Sequence, residues 1–545
     1  MLHCSKPGKR CVAWKMFCTL AVVIAVGMSA GAQERERNAI PTAEAFTGHV
    51  LTDGLDMPWE MLWGPDNMLW VTERHGLQIT RVDPRTGEKK VVGKIPEAYP
   101  GPQHEGVLGM AFGPNFLASA DSTLYVYYTM KNGDSRWGRL VRYRYDRGSE
   151  QIGDAQILMD KLPAGDDHNA GRLRFGLDGK LYLTIGEQGH NQGKNFCLPI
   201  EAQRIPTSAE VENRDWDAYR GKSLRINPDG SVPADNPVIK GVRSHVFTYG
   251  HRNPQGLTFV GGDLYSCEQG PSSDDEINLL RAGGNYGWPH VAGFRDGQGY
   301  KYANYSAAAN CASLPFDANT IPDGVPVEHE LEWYATDFVP PVKTFYTVRN
   351  DHNFNDSRCG GGDEAYLCWP TIAPSDIVYY PANGVIPSFR SSLLVTTLKT
   401  GALFVVRLSG DEKEVQGDYD KLFRSRNRYR AVAYDPTGRN IYIACDNSGS
   451  AKDEDGKPAA GVRNPGAILV FTYNGDGGSG SSVASRTNAA PAAPLAQVLA
   501  AAPRSPSTIM PAPAQPAVPG SGSVVEPDSV IVIECDEVIV EPDRL

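Results

Sequence analysis

Four stretches of this 545-residue chain are too polar, and too rich in turn-forming or charged residues, to read as core strands. They are AGDDHNAGRL (164–173), YGHRNPQGL (249–257), CEQGPSSDDEINLL (267–280) and NRYRAV (427–432). Together they offer a histidine beside carboxylates, an Arg-Asn pair, carbonyl-rich turns with acidic neighbours, and two arginines two positions apart. If NRYRAV is locally extended, Arg428 and Arg430 point to the same face. Two guanidiniums on one side repel unless an anion sits between them, which implies a polycarboxylate or phosphate ligand. The alternative is a pair of solvated surface arginines.

Something must bring these distant stretches together, and one recurring pattern does so: a Gly/Asp/Asn turn followed by an alternating apolar strand. It occurs as GPDNMLWVTER (64–74), STLYVYYT (122–129), GLDGKLYLTIGEQG (176–189), GGDLYSCEQG (261–270), SSLLVTTLKTGALFVVRL (391–408) and DPTGRNIYIACD (435–446). No comparably long amphipathic helical pattern competes with these six copies. Radial repetition of small sheets leaves only short, protected edges, so residues 42–474 are expected to form an all-β, six-bladed β-propeller. A pair of β-sandwiches is the alternative. The 57 glycines and 40 prolines agree with an all-β chain of many turns. A net charge of −11 argues against a nucleic-acid surface.

The ends read differently. Residues 1–32 have the basic start, apolar run and Ala30-Gly31-Ala32 site of a secretory signal peptide, which predicts a periplasmic or secreted protein starting near Gln33. An uncleaved anchor is the alternative, and no later segment is apolar enough to span a membrane. Residues 475–525, rich in Ala, Pro, Gly and Ser, are expected to be a flexible linker, and 526–545 a short acidic tail without an assigned role. Seven cysteines remain after the signal, an odd number; Cys359 and Cys368 flank a Gly-rich loop and are the expected disulfide, with Cys535 left over.

The chain resembles the soluble quinoprotein glucose dehydrogenases, within the glucose/sorbosone dehydrogenase family, from about Leu51 to Tyr473. The words that carry the resemblance are PWEMLWGPDNMLWVTER, GRLRFGLDGKLYLTIGEQGHNQ, GHRNPQGLTF, EQGPSSDDEINLLRAGGNYGWPHVAGF, YANYSAAAN, FVPPVKTFYTV and NRYRAV. The resemblance implies a six-bladed propeller, pyrroloquinoline quinone (PQQ), calcium and a homodimer. It also implies oxidation of an aldose at C1 to its lactone, by hydride transfer to C5 of the quinone, with electrons passed to an external acceptor.

Carried over by position, His168 matches the family's catalytic base, a role suited to an imidazole whose ordinary pKa lies near working pH. Asp167 precedes it on the cofactor side, and Glu187 falls where the family pattern has Asp, oriented toward that histidine. Arg252 and Asn253 match contacts to the quinone's reactive carbonyls, where a fixed cation stabilises developing negative charge. Lys399, Arg428 and Arg430 match the cations that hold the cofactor's three carboxylates; Gln269 matches another contact, and Tyr366 and Trp369 match aromatic residues at the mouth. The carbonyls of Gly270 and Pro271 match a calcium site touching the cofactor, and those of Ala292 and Phe294, with Asp296 and Glu330, a second, structural calcium. His104 departs from the pattern, since the family places Gln there.

Two other readings are carried forward. A calcium-dependent lactonase on the same fold would need a carboxylate-rich metal centre on the axis and no cationic trio. A secreted binding module would keep the propeller without its chemistry.

Overall fold

The structure, a computed structural model, describes residues 45–116, 122–355, 366–447, 449–453, 457–459 and 461–475. The signal segment, Cys359, Cys535, the acidic tail and all of the linker beyond Gly475 lie outside the described residues. Strand-forming runs of β-branched and aromatic residues pair antiparallel into six four-stranded sheets, the blades of a β-propeller. In chain order the innermost strands are Pro58–Trp63, Val107–Phe112, Ala170–Phe175, Pro254–Val260, Pro374–Tyr380 and Tyr429–Tyr434. They follow one another around a closed ring, blade 1 meeting blade 6. Each of the six recurring sequence words is the turn into the second strand of a different blade: Leu69–Glu73, Thr123–Asn132, Leu181–Ile185, Asp263–Glu268, Ser392–Thr397 and Asn440–Cys445. Blade 6 is completed from the other end of the chain, since Phe46–Thr52 pairs along Ile468–Tyr473.

Alternation along the strands puts apolar side chains on both faces of every blade, and they pack between blades. One apolar cluster fills each of the six interfaces, for example Tyr125, Leu140, Leu173 and Leu183 between blades 2 and 3. The axis is filled differently. Arg172 is fully buried there; its Nη1 lies 2.7 Å from Glu60, its Nε and Nη2 donate to the Gln255 and Ser375 carbonyls, and its guanidinium lies over Trp59. Arg174 pairs with Glu60 and Asp376 beside it.

All six innermost strands begin with a register irregularity: at Pro58/Met61, Val107/Met110, Ala170/Leu173, Pro254/Gly256, Pro374/Asp376 and Tyr429/Ala431. Bulges of this kind bend a strand and re-aim its side chains. Because neighbouring strands are antiparallel, the starts of the inner strands and the ends of the second strands share one end of the propeller. That end carries the candidate site.

A long connection inside blade 4, between Asp275–Leu280 and Lys343–Phe345, packs its own apolar cluster around Tyr305. A disulfide between Cys197 and Cys311 ties this connection to blade 3. That pairing was not anticipated. Cys368 is disulfide-bonded as well, while the expected partner Cys359 is outside the described residues. Cys267 and Cys445 are buried free thiols.

Candidate active site

His168 lies two residues before the inner strand of blade 3, with its backbone in the left-handed region at φ 43°. Few non-glycine residues adopt this conformation, and it is tolerated where surrounding contacts enforce it. Gly186 makes it possible, because a β-carbon there would collide with the His168 carbonyl oxygen. Nδ1 of His168 lies 2.5 Å from Glu187 Oε1, and Glu187 Oε2 accepts the His190 backbone N–H at 2.8 Å. With Nδ1–H donated to a buried carboxylate, the lone pair sits on Nε2, the form in which an imidazole accepts a proton.

Around that nitrogen stands a polar ring. Asp167 Oδ1 accepts the His168 backbone N–H at 2.8 Å and lies 2.7 Å from His104 Nδ1. Burial disfavours an ionised Asp167, but the adjacent His168 and His104 and these hydrogen bonds hold its carboxyl well below the usual range. Gln192 reaches Asp167 Oδ2 at 3.2 Å with its amide nitrogen, and its Oε1 accepts from Arg252 Nη2 at 2.9 Å. Arg252 Nη1 donates to the carbonyls of Gln269 and Gly270 at 3.1 and 2.9 Å.

The network continues across the top of the propeller. Asn253 donates to Gln269, Gln255 donates to Asn253, and Arg430 Nη1 lies 3.4 Å from Gln255 Oε1. Beyond it Asp446 lies 2.7 Å from Arg430 and 3.9 Å from Arg428. The anion between the two arginines is therefore, in part, the protein's own carboxylate, which the spacing of NRYRAV did not reveal. Burial works against its ionisation, and Arg430, Arg428 and Arg74 together hold its carboxyl low. Burial, with Arg430 and Arg428 nearby, brings Arg74 down to about 10 against the pull of Asp446. Three guanidiniums thus share one carboxylate, leaving a surplus of positive charge.

Lys399 enters from blade 5. It is 1 % exposed, its Nζ donates to Thr371 Oγ1 at 2.6 Å and to the Trp369 carbonyl, and burial, with Lys452 adding, pushes its pKa well below the ordinary value. Asp275 pins the Gly270 backbone N–H at 2.9 Å and also the N–H groups of Ile372 and Ala373. The segment 269–275 is thereby tied to the one carrying Trp369 and Thr371.

This geometry suits a bound polyanion. Among the described residues, the Nε atoms of Arg252, Arg428 and Arg430 and the Trp369 indole nitrogen are buried without a hydrogen-bond partner, and buried polar atoms ordinarily have one. Tyr366 opens the short turn that ends at Trp369, whose backbone N–H it accepts.

The expected second calcium residues lie apart from this network, in the blade 4 connection. Glu330 accepts the backbone N–H groups of Ala292 and Gly297 at 3.1 and 3.0 Å, and burial, aided by Asp296 and Asp274, raises its carboxyl to about 8. The Phe294 carbonyl accepts from Asp296 N–H at 2.8 Å. Among the described residues, no group of three or more His, Cys, Asp or Glu side chains is placed to hold a metal. A cation at either place would therefore need backbone carbonyls among its ligands.

Sequence reasoning reached His168, Asp167, Glu187, Arg252, Asn253, Gln269, Lys399, Arg428 and Arg430, and the structure joins them in one region. It passed over Arg74, Gln192 and Asp446. The signal for Arg74 and Asp446 was present, since each closes one of the six recurring words (WVTER and IACD).

Fold and site together define the class, a β-propeller oxidoreductase. The family described as Glucose / Sorbosone dehydrogenase matches residues 55–316 and 345–452. The chain is 43% identical over 442 residues to quinoprotein glucose dehydrogenase B of Acinetobacter calcoaceticus, covering 79% of this chain and 92% of that one. It is 30% identical over 247 residues to the aldose sugar dehydrogenase YliI of Escherichia coli, across 44% and 61% of the two chains. Among solved structures, the PQQ-bound form of an aldose sugar dehydrogenase from Streptomyces coelicolor superposes with a TM-score of 0.52 at 25% identity, covering 80% of this chain and 99% of that one. The chain belongs to the glucose/sorbosone dehydrogenase family. The family match pauses over 317–344, where Glu330 lies.

Proposed function

We propose that this protein oxidises an aldose at C1 to the lactone, with PQQ and calcium bound at the network described above, and passes the electrons to an external acceptor. The observation that carries the reading is the junction of a lone-pair imidazole nitrogen with a guanidinium through Gln192, whose amide nitrogen lies 3.4 Å from His168 Nε2 and whose Oε1 accepts from Arg252, beside a cluster of cations in excess of their carboxylate. When bound, PQQ supplies the hydride acceptor and three carboxylates. His168 Nε2 takes the proton of the anomeric hydroxyl, and Glu187 holds the ring in the accepting tautomer and stabilises the imidazolium that forms. Arg252 places fixed positive charge where negative charge develops. Lys399, Arg428, Arg430 and Arg74 bind carboxylates, while Asn253 and Gln269 orient the ligand between the two ends.

Calcium is assigned to the carbonyls of Gly270 and Pro271, and a second ion to Ala292, Phe294, Asp296 and Glu330. The raised carboxyl of Glu330 supports the second site, because a cation there would relieve its burial. Export to the periplasm or beyond is part of the same reading. The Cys197–Cys311 disulfide supports it, and no described helix is long and apolar enough to cross a membrane. The domain limits (1–32, 42–474, 475–525 and 526–545) and a homodimer complete the proposal. The lactonase reading is disfavoured by the axis itself, where Glu60 and Asp376 are engaged by Arg172 and Arg174.

The test is reconstitution: PQQ and calcium are added to purified apo-protein and dye reduction is followed with a panel of aldoses. Activity that requires both additions is expected. Binding of PQQ without oxidation of any aldose removes the substrate class, and failure to bind PQQ removes the proposal.

A further inference from the structure

His104 comes from the segment before the inner strand of blade 2, held there by Arg74, which donates to the Gln103 and Glu105 carbonyls. Its ring lies nearly parallel to that of His168, at 26° with centroids 6.4 Å apart. His104 Nδ1 lies 2.7 Å from Asp167 Oδ1 and must carry a proton to stand so close to a carboxylate; the His168 backbone N–H reaches the same oxygen and lies 3.3 Å from that ring nitrogen, and the Gln192 amide reaches Oδ2. Donors from three separate segments thus hold one carboxylate. Held there, Asp167 Oδ2 stands 3.7 Å from His168 Nε2, beyond hydrogen-bond range, while the Gln192 amide nitrogen lies 3.4 Å from the same ring nitrogen.

We propose that His104 is a positioning residue: its Nδ1–H tethers Asp167 short of His168 Nε2 and so keeps the carboxylate off the nitrogen that is to meet a sugar hydroxyl. The purpose rests on the dehydrogenase reading; the geometry does not. Released from the tether, the Asp167 carboxylate swings onto Nε2 and closes a charge-assisted hydrogen bond, which holds a proton on the base. The groups facing His168 are Glu187 at Nδ1, Asp167 beside Nε2, His104 across the carboxylate, and Gln192, which leads to Arg252. Arg430 acts on His104, and burial lowers the His104 pKa against the pull of Asp167.

The experiment titrates full-length, 15N-histidine-labelled apo-protein by NMR, with the His168 signal assigned by its loss in His168→Gln. In His104→Leu the His168 midpoint is expected to rise by about half a pH unit or more, and in His104→Gln, which keeps a donor, to stay within about 0.2 of wild type. Adding Asp167→Asn to His104→Leu should abolish the rise. His104→Ala carries the same expectation should leucine disturb folding. An unchanged or lowered midpoint in His104→Leu or His104→Ala, or a rise that survives Asp167→Asn, overturns the proposal. In reconstituted enzyme the acidic limb of kcat/KM moves up by the same amount. A wild type that oxidises no sugar would count against the dehydrogenase reading alone, leaving the titration to decide the tether.

Discussion

Glu187 is fixed at both oxygens, one by His168 Nδ1 and one by the His190 backbone N–H. Glu187→Gln keeps the shape but can turn its amide toward Nδ1, which places the imidazole proton on Nε2, the wrong nitrogen for a base. The expected result is a loss of about 10²–10⁴ in kcat, with the PQQ Kd changed by less than about threefold. Glu187→Asp restores the charge at shorter reach and should lose less than about tenfold. Steady-state dye reduction and a fluorescence titration of PQQ read the two quantities separately; an equal loss in both would mean that Glu187 shapes the cofactor site and not the base. Much of this residue scale was legible in the sequence, because His168, Asp167 and Glu187 sit in long words whose chemistry is local. Asp446 was not, since its pairing with Arg430 depends on the register of the hairpin formed by Tyr429–Tyr434 and Asn440–Cys445, and Arg74 reaches it only when blade 6 meets blade 1. The same hairpin explains why two arginines that called for a foreign anion already share an internal one.

At the scale of elements, the turn-and-strand repeat was readable as a blade unit, and its function follows from where it stops. Second strands or the residues just beyond them carry Glu73 and Arg74, Glu187, Glu268 and Gln269, Lys399 and Asp446. The loops before the inner strands carry His104, His168, Arg252 and Arg428. What could not be read is how the long connections fold over this end, including the Cys197–Cys311 tie across 114 residues. One such connection sets a pH dependence. His245 packs under the turn Asp217–Tyr219, accepting from Tyr219 OH at Nδ1 and donating to the Gly230 carbonyl from Nε2. These partners accommodate a neutral ring, and burial pushes its pKa down to about 4 from 6.5. The unfolded chain takes up a proton below pH 6.5 that the folded chain refuses until about pH 4. Stability is therefore lost as pH falls through this window, by ~3 kcal/mol in all. Urea unfolding at pH 7, 5.5 and 4.5 should show His245→Phe less stable at pH 7, because Tyr219 loses its acceptor, but with a flatter descent. Parallel descents in the two proteins would assign the acid loss to other groups.

For the whole molecule the decisive contact is the one that closes the ring. The recurring pattern announces six second strands, but it is silent on which strand completes the sixth blade, because Phe46–Thr52 carries no such word and pairs with residues more than four hundred positions away. Its anchor is Phe46, which meets Phe389, Phe423 and Tyr473, so the first strand packs on the connection between blades 5 and 6 as well as on its own blade. Removing residues up to Thr52 would expose Ile468–Tyr473 as an open edge and uncover the apolar cluster between blades 5 and 6. Phe46→Ala is the milder test. It deletes a buried aromatic ring and should cost about 3–5 kcal/mol. The effect should reach the site, because Arg428, Arg430 and Asp446 stand on blade 6 while their partners Gln255 and Arg74 stand on blades 4 and 1. The expected outcome is a lower Tm together with a PQQ affinity that weakens as temperature approaches that Tm, while Phe112→Ala, in the interface between blades 1 and 2, lowers Tm without the early loss of affinity. Calorimetry with and without PQQ distinguishes the two, and equal behaviour of both variants would show that the ring unfolds as one unit wherever it is weakened.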